Sequence, residues 1–100
     1  MTGRPSPEDI QTIYNTLTND DFATATNKFN QLKVSKSLAL DDIVRDLHKA
    51  VMETQFTEQM KMFLVGRLSE IEFRLAHGIN EKTQIASVVG AFIEIRTIGQ

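Results

Sequence analysis

The sequence predicts an all-α domain, and three observations lead to that prediction. Apolar residues recur at helical spacing in five segments, the links between these segments are short, and apolar and polar residues nowhere alternate with the period of two that a strand shows. Amphipathic helices joined by short links pack as antiparallel neighbours. We therefore expect a five-helix bundle.

The composition fits one ordinary globular domain. The chain has 100 residues, a net charge of −2 and no cysteine. This length suffices for one core, the near-neutral charge argues against a direct nucleic-acid site, and the lack of cysteine excludes disulfides and thiolate zinc sites. The first residues lack the apolar stretch of a secretion signal. The longest uncharged stretch, residues 83–93, falls short of the roughly 20 residues that span a bilayer, so we expect no membrane partner.

The first two helices follow from their caps and stripes. Ser6 is a good N-cap and Pro7 suits the first helical position, because its missing N–H would be unpaired there. The stripe of the first helix is Ile10, Ile13, Tyr14 and Leu17. In the second helix the expected buried residues are Phe22, Ala25, Phe29 and Leu32.

The third and fifth helices each have one apolar stripe. We expect Ser37 to cap the third helix and Asn80 to cap the fifth. The stripe of the third helix is Leu40, Ile43, Val44, Leu47 and Val51, and that of the fifth is Ile85, Val88, Val89, Phe92 and Ile95.

The fourth helix, expected between Thr57 and Gly78, is apolar on two sides. One face carries Met60, Leu64, Leu68, Ile71 and Leu75, and the nearly opposite face carries Met62, Val65, Ser69, Phe73 and Ala76. A helix that is apolar on two sides is buried on both. Either other helices of this chain cover both faces, which is the simpler interpretation, or the second face meets another subunit.

A search for chemistry finds no recognisable catalytic pattern. The chain has no phosphate-binding glycine loop and no paired metal-binding histidines. We interpret His77 as a residue that complements the C-terminal end of the fourth helix. The charges around Asp42 and Asp46 are interpreted as a solvated face, because nothing nearby would separate the pKa values of two acids. We predict no catalytic residue, no cofactor and no metal ligand.

Several short runs occur in an order that resembles a known family. The runs are Asp21-Phe22 with Ala25, Leu32, Leu38-Ala39-Leu40-Asp41-Asp42-Ile43, Leu68-Ser69-Glu70-Ile71-Glu72-Phe73-Arg74-Leu75, Gly78, Asn80-Glu81-Lys82 and Gln84-Ile85. Over about residues 2–95 this order resembles the C-terminal domain of a eukaryotic replication factor C small subunit, most closely the class numbered five in human and three in yeast. Ser37 departs from the pattern, since that family usually has glycine there, and Phe73 stands where tyrosine is common.

The resemblance implies a role in assembly. In this family an N-terminal AAA+ domain binds ATP and Mg²⁺, and the C-terminal helical domains of five different subunits join as a collar. The complete complex acts in the nucleus, where it opens the sliding clamp and places it on primer–template DNA. Residues 6–98 would then be the collar domain and residues 1–5 a linker with an added start, separated from the ATPase domain of a longer parent.

A ring with head-to-tail contacts needs two different apolar patches on each domain. The candidate interface residues lie on the second face of the fourth helix and on the outer side of the fifth: Met62, Val65, Ser69, Phe73, Ala76, Ile93 and Ile98.

Two other classes of function remain open from the residues alone. The chain could be a free-standing adaptor that binds a partner helix in a groove, or a small enzyme with an unrecognised site, which the missing patterns disfavour. The mass of the native polypeptide in its source cells discriminates between the collar and the adaptor hypotheses. A mass far above 11.3 kDa favours the collar, and a mass at that value favours the adaptor.

Overall fold

The computed structural model describes residues 5–98, with side chains through residue 96, and it contains five helices and no strand within that range. The helices are α1 (Pro7–Asn19), α2 (Phe22–Ser35), α3 (Leu40–Glu53), α4 (Glu58–Ala76) and α5 (Glu81–Ile98). No link between them exceeds four residues. The predicted all-α five-helix bundle is confirmed.

The helices pack around α5, which contacts every other helix. Helices α1 and α2 lie against one side of α5, and α4 lies against α3 and α5 without substantial contact to α1 or α2. The domain therefore has an α1–α2 side and an α4 side, with α3 and α5 between them.

The core consists of the predicted stripes. All five stripe residues of α3 and all five of α5 are buried, as are Ile10, Ile13 and Leu17 of α1. Phe22 is an exception, because 47% of its surface is exposed. The prediction that α2 buries Phe22 is wrong, since the first residue of the helix lies beyond the end of the core that Ala25 and Phe29 enter.

Three of the predicted helix starts are confirmed by their hydrogen bonds. The side-chain oxygens of Ser6, Thr57 and Asn80 each accept a hydrogen bond from a backbone N–H two or three residues further along the chain. These bonds satisfy amide groups that have no partner within the helix. The cap predicted for α3 is wrong, because Ala39 occupies the N-cap position and Ser37 lies two residues before it.

Ser37 has a different role, at the end of α2. Its φ of 51° is left-handed, and the N–H of Leu38 donates to the carbonyl oxygen of Lys33 at 2.8 Å. This is the Schellman arrangement, in which the first residue beyond the helix takes the left-handed conformation. Helix α4 ends in the same way, with Gly78 at φ 74°. Serine thus holds a backbone conformation that glycine adopts without steric cost.

Replacing Ser37 with glycine is therefore expected to stabilise the domain. The substitution relieves left-handed strain of about 1–2 kcal/mol. Glycine also raises the conformational entropy of the unfolded chain, which offsets part of this, so we expect the free energy of unfolding to rise by about 0.5–1 kcal/mol. Urea unfolding followed by circular dichroism measures it. The matched variant Ser35→Gly, at the last helical residue of α2 where φ is not left-handed, should lower the free energy of unfolding. A loss of stability in Ser37→Gly would contradict the strain argument.

Candidate protein-interaction surface

The outer surface of α4 carries large apolar side chains that no other helix among residues 5–98 covers. Met62 is 69% exposed and Phe73 is 64% exposed, and between them lie the small exposed residues Gly66 and Ser69. The space around Gly66 is open to 4 Å from where a Cβ would lie. We call Met62, Gly66, Ser69, Phe73 and Ala76 the α4 face. It is a strip along the helix in which the large side chains of Met62 and Phe73 project on either side of the small residues Gly66 and Ser69.

The exposure of the α4 face decides between the two interpretations of a helix that is apolar on two sides. The opposite side of α4 is in the core, where Leu64, Leu68 and Ile71 are buried. Within residues 5–98 no other helix covers Met62 or Phe73, so the interpretation in which the other helices of this domain bury both faces is wrong. Its role as a contact with another subunit stays a prediction.

Polar contacts fix the edge of α4 that lies toward α3. Glu72 lies 3.3 Å from Nδ1 of His48, and Nζ of Lys61 donates to the carbonyl oxygen of Met52 at 3.4 Å. Both contacts join α4 to α3. They hold the helix in one rotation, which keeps the α4 face directed outward.

The other edge of α4 is held by contacts within the helix. Arg74 pairs with Glu70 one turn earlier. The guanidinium of Arg67 lies over the ring of Phe63, 5.4 Å from its centroid, a cation–π distance. Charged residues thus line both edges of α4, and the strip between them is apolar.

His77 ends α4 as predicted and also contacts the α4 face. Its Nδ1 donates to the carbonyl oxygen of Phe73 at 2.9 Å, and the two rings lie with centroids 4.3 Å apart. Hydrogen bonding to a C-terminal carbonyl is the structural role expected of this residue. The ring of Phe73 thus packs against the imidazole of His77, while Phe73 stays 64% exposed.

The remaining candidate residues differ in their surroundings. Val65 on α4 and Ile93 on α5 are half-buried and pack against the core. They lie on different helices and are not part of the α4 face. The side chain of Ile98 lies outside the described residues. The subunit-interface role of these three residues stays a prediction.

The acidic cluster of α3 forms pairs on the surface. Arg45 lies 3.9 Å from Asp41 and 3.3 Å from Asp42, and all three side chains reach solvent. Exposed pairs of this kind stabilise a helix by a few tenths of a kcal/mol. Within residues 5–98 no group of three or more histidine, aspartate and glutamate side chains could hold a metal ion. No helix in the described part of the chain is long and apolar enough to cross a membrane.

Sequence reasoning missed other exposed apolar residues, among them Val34, which is 67% exposed near the end of α2, and Ile79 in the link before α5. Ile79 directly follows the left-handed Gly78, and Val34 lies three residues before the left-handed Ser37. The turn signals were visible in the sequence, but not the direction in which the neighbouring side chains point.

Together these features define a class of protein, an all-α five-helix bundle that presents an uncovered apolar strip. A family model for the replication factor C C-terminal domain matches residues 5–91, so the chain belongs to that family. The resemblance seen in the sequence is confirmed.

Individual relatives agree with the family match. The chain is 38% identical to replication factor C subunit 5 of Homo sapiens over 91% of its own length and 27% of that protein. It is 34% identical to replication factor C subunit 3 of Oryza sativa over 96% of its length, and 29% identical to replication factor C subunit 3 of Saccharomyces cerevisiae over 89%. The chain spans about a quarter of the length of the curated relatives it matches.

Proposed function

We propose that this domain assembles the subunits of a clamp loader, as the collar domain of a replication factor C small subunit. The parent would act in the nucleus with the other subunits of a five-membered ring, placing a sliding clamp on primer–template DNA. The observation that carries this proposal is the α4 face. A family of subunits needs surfaces through which its members meet, and exposed apolar area rimmed by charge is typical of such surfaces.

The chemistry of the parent belongs to another part of it. As the resemblance implies, the parent would be an AAA+ ATPase that binds ATP and Mg²⁺ in an N-terminal domain. We assign no ATP or Mg²⁺ ligand and no catalytic residue to the described part of this chain. Its contribution is to hold subunits in place while the ATPase domains work.

The variant Phe73→Asp, made in the full-length parent, tests the proposal. A carboxylate buried in an apolar contact without a partner is unfavourable, so we expect recovery of the other subunits with the tagged parent to fall by at least about tenfold. Co-purification at matched expression measures this loss. Because Phe73 is exposed, the free energy of unfolding of the isolated domain should change little.

Met52→Asp is the matched control. Met52 is also an exposed apolar residue, but it lies near the end of α3 and outside the α4 face. It should recover the other subunits normally. If Phe73→Asp and Met62→Asp both recover the other subunits normally, the proposal is contradicted. Val65→Asp and Ile93→Asp are less selective, because both residues pack against the core and their substitution should also lower stability.

A further inference from the structure

We propose that the first residues of the domain hold the chain in one fixed direction where it enters from the rest of the parent. The residues that do this are Pro5, Ser6, Asp9 and Lys36, which we call the entry anchor. The proposal rests on the proposed function in one respect, that the parent has an ATPase domain before residue 5. It gives this domain a second role, which is to fix the direction from which that ATPase domain approaches. Lys36 is a positioning residue, because it acts through Asp9.

The backbone that leads into α1 has little conformational freedom. The rings of Pro5 and Pro7 each fix φ at about −65°. Ser6 precedes a proline, which restricts it to extended conformations, and its φ is −79° with ψ at 164°. The N–H of Ser6 donates to the carboxylate of Asp9 at 3.0 Å, and its carbonyl oxygen accepts from the N–H of Ile10 at 3.1 Å. The entry to α1 is therefore stiff and does not act as a hinge.

Pro5 belongs to the packed part of the domain. It is buried, and it lies along the groove between α1 and α3 that is also lined by Ile10, Tyr14 and Ala50. A segment that only connects two parts of a chain runs over the surface. Turning the entering chain away from this groove would expose the proline ring to water, which is unfavourable for apolar surface. Packing and backbone restriction thus favour the same direction.

Asp9 connects this entry to a second helix. One carboxylate oxygen accepts from the N–H of Ser6 at 3.0 Å, and the other accepts from Nζ of Lys36 at 2.6 Å. Asp9 is 7% exposed, so its charge needs both partners in place of water. The backbone of Lys36 is itself held, because it is the C-cap of α2 and its N–H donates to the carbonyl oxygen of Leu32 at 3.1 Å. The entry anchor is therefore braced from α2.

Loss of Lys36 should loosen the entry without unfolding the domain. The side chain of Lys36 is 52% exposed, so its removal leaves no cavity in the core. Asp9 would then be a largely buried carboxylate with one partner fewer, and it would turn toward water to recover the missing interaction. Its hydrogen bond to the N–H of Ser6 would weaken as it turned. The direction of the entering chain would no longer be fixed.

Double electron–electron resonance in the full-length parent tests the proposal. Spin labels are attached to p-acetylphenylalanine, which replaces Gln59, exposed near the start of α4, and an exposed residue in the part of the ATPase domain that immediately precedes this domain. We expect one narrow distribution of distances in the parent. Lys36→Met should widen this distribution by at least about twofold. Lys36→Arg keeps the charge and should give back the narrow distribution.

Lys28→Met is the matched control. Lys28 is 56% exposed and also pairs with an aspartate, Asp20 at 2.9 Å, but at the other end of α1. We expect it to leave the distribution unchanged. Hydrogen exchange reports the entry anchor directly, because Ser6 carries the only backbone amide in residues 5–7. Exchange at Ser6 should become faster by about tenfold or more in Lys36→Met and should not change in Lys28→Met.

The outcomes separate this proposal from the proposed function. A wide distribution in the parent, or the same width in the parent and in Lys36→Met, overturns the proposal and leaves the collar function standing. An equal widening in Lys28→Met also overturns it, because the effect would then not come from the entry anchor. The collar function fails on a different observation: the tagged parent, carrying neither substitution, recovers no other replication factor C subunit.

Discussion

The variant Phe92→Ala is expected to lose about 3–5 kcal/mol of the free energy of unfolding. Phe92 is fully buried in α5, and its ring meets that of Tyr14 edge to face at a centroid distance of 5.8 Å. Truncation leaves a cavity between α5 and α1 and removes the aromatic contact. A domain of this size has about 5–15 kcal/mol of stability in total, so the variant should approach the unfolding threshold.

Urea unfolding followed by circular dichroism measures this loss, and Phe22→Ala is the matched control. It is the same chemical change at the phenylalanine that the stripe of α2 predicts to be buried and the structure places at the surface. We expect its cost to stay near 1 kcal/mol or below. Similar losses in the two variants would contradict the placement of these side chains.

The variant Asp9→Ala is expected to lose about 1–2 kcal/mol. Asp9 accepts a hydrogen bond from the N–H of Ser6 at 3.0 Å, while its own N–H donates to the hydroxyl oxygen of Ser6 at 3.1 Å, which is a capping box. It also accepts from Nζ of Lys36 at 2.6 Å, which ties the start of α1 to the link after α2. Glu8→Ala removes an exposed acid from the same turn without these contacts and should cost less.

The loss in Asp9→Ala should depend on pH with a definite sign. The hydrogen bond from Lys36, followed by that from the backbone of Ser6, holds the pKa of the Asp9 carboxyl below its ordinary value. A lowered pKa in the folded state means that the stabilisation is complete above the unfolded pKa and is lost as pH falls through the folded one. The difference between parent and variant should be full above about pH 5 and shrink toward pH 2. A difference that stays constant over this range would show that the charge of Asp9 does not contribute.

Most of the fold could be predicted because the local spacing of apolar residues indicates which side of each helix is buried. The stripes of α1, α3 and α5 follow from spacing alone, since residues three and four apart share one side of a helix. The N-cap prediction at Ser37 is wrong for a physical reason: serine is a good N-cap, and nothing in the local sequence distinguishes a residue that begins α3 from one that ends α2. Burial of Leu38 requires the sharp turn that Ser37 makes.

The candidate surface could be predicted only in part. The spacing of Met62 and Phe73 places them on a second apolar side of α4, and the structure keeps them together there. Whether another helix covers that side depends on where α1 and α2 pack, which is decided by contacts far apart in sequence. The groove that the structure shows between α1 and α2 has no recognisable pattern in the sequence, because Ile13 and Phe29 in its floor are residues that any core would contain.

The position of α5 at the centre of the bundle has a consequence for synthesis of the chain. Without α5, helices α1 and α2 form one hairpin and α3 and α4 another, and contacts between α1 and α3 are the main ones that join them. As the nascent chain leaves the ribosome, these hairpins emerge with their apolar sides open to solvent. The cooperative core closes only when residues 81–98 have been made. A premature stop codon in the last helix therefore does not leave a slightly shorter domain. It leaves two hairpins whose exposed apolar sides are recognised by chaperones and proteases.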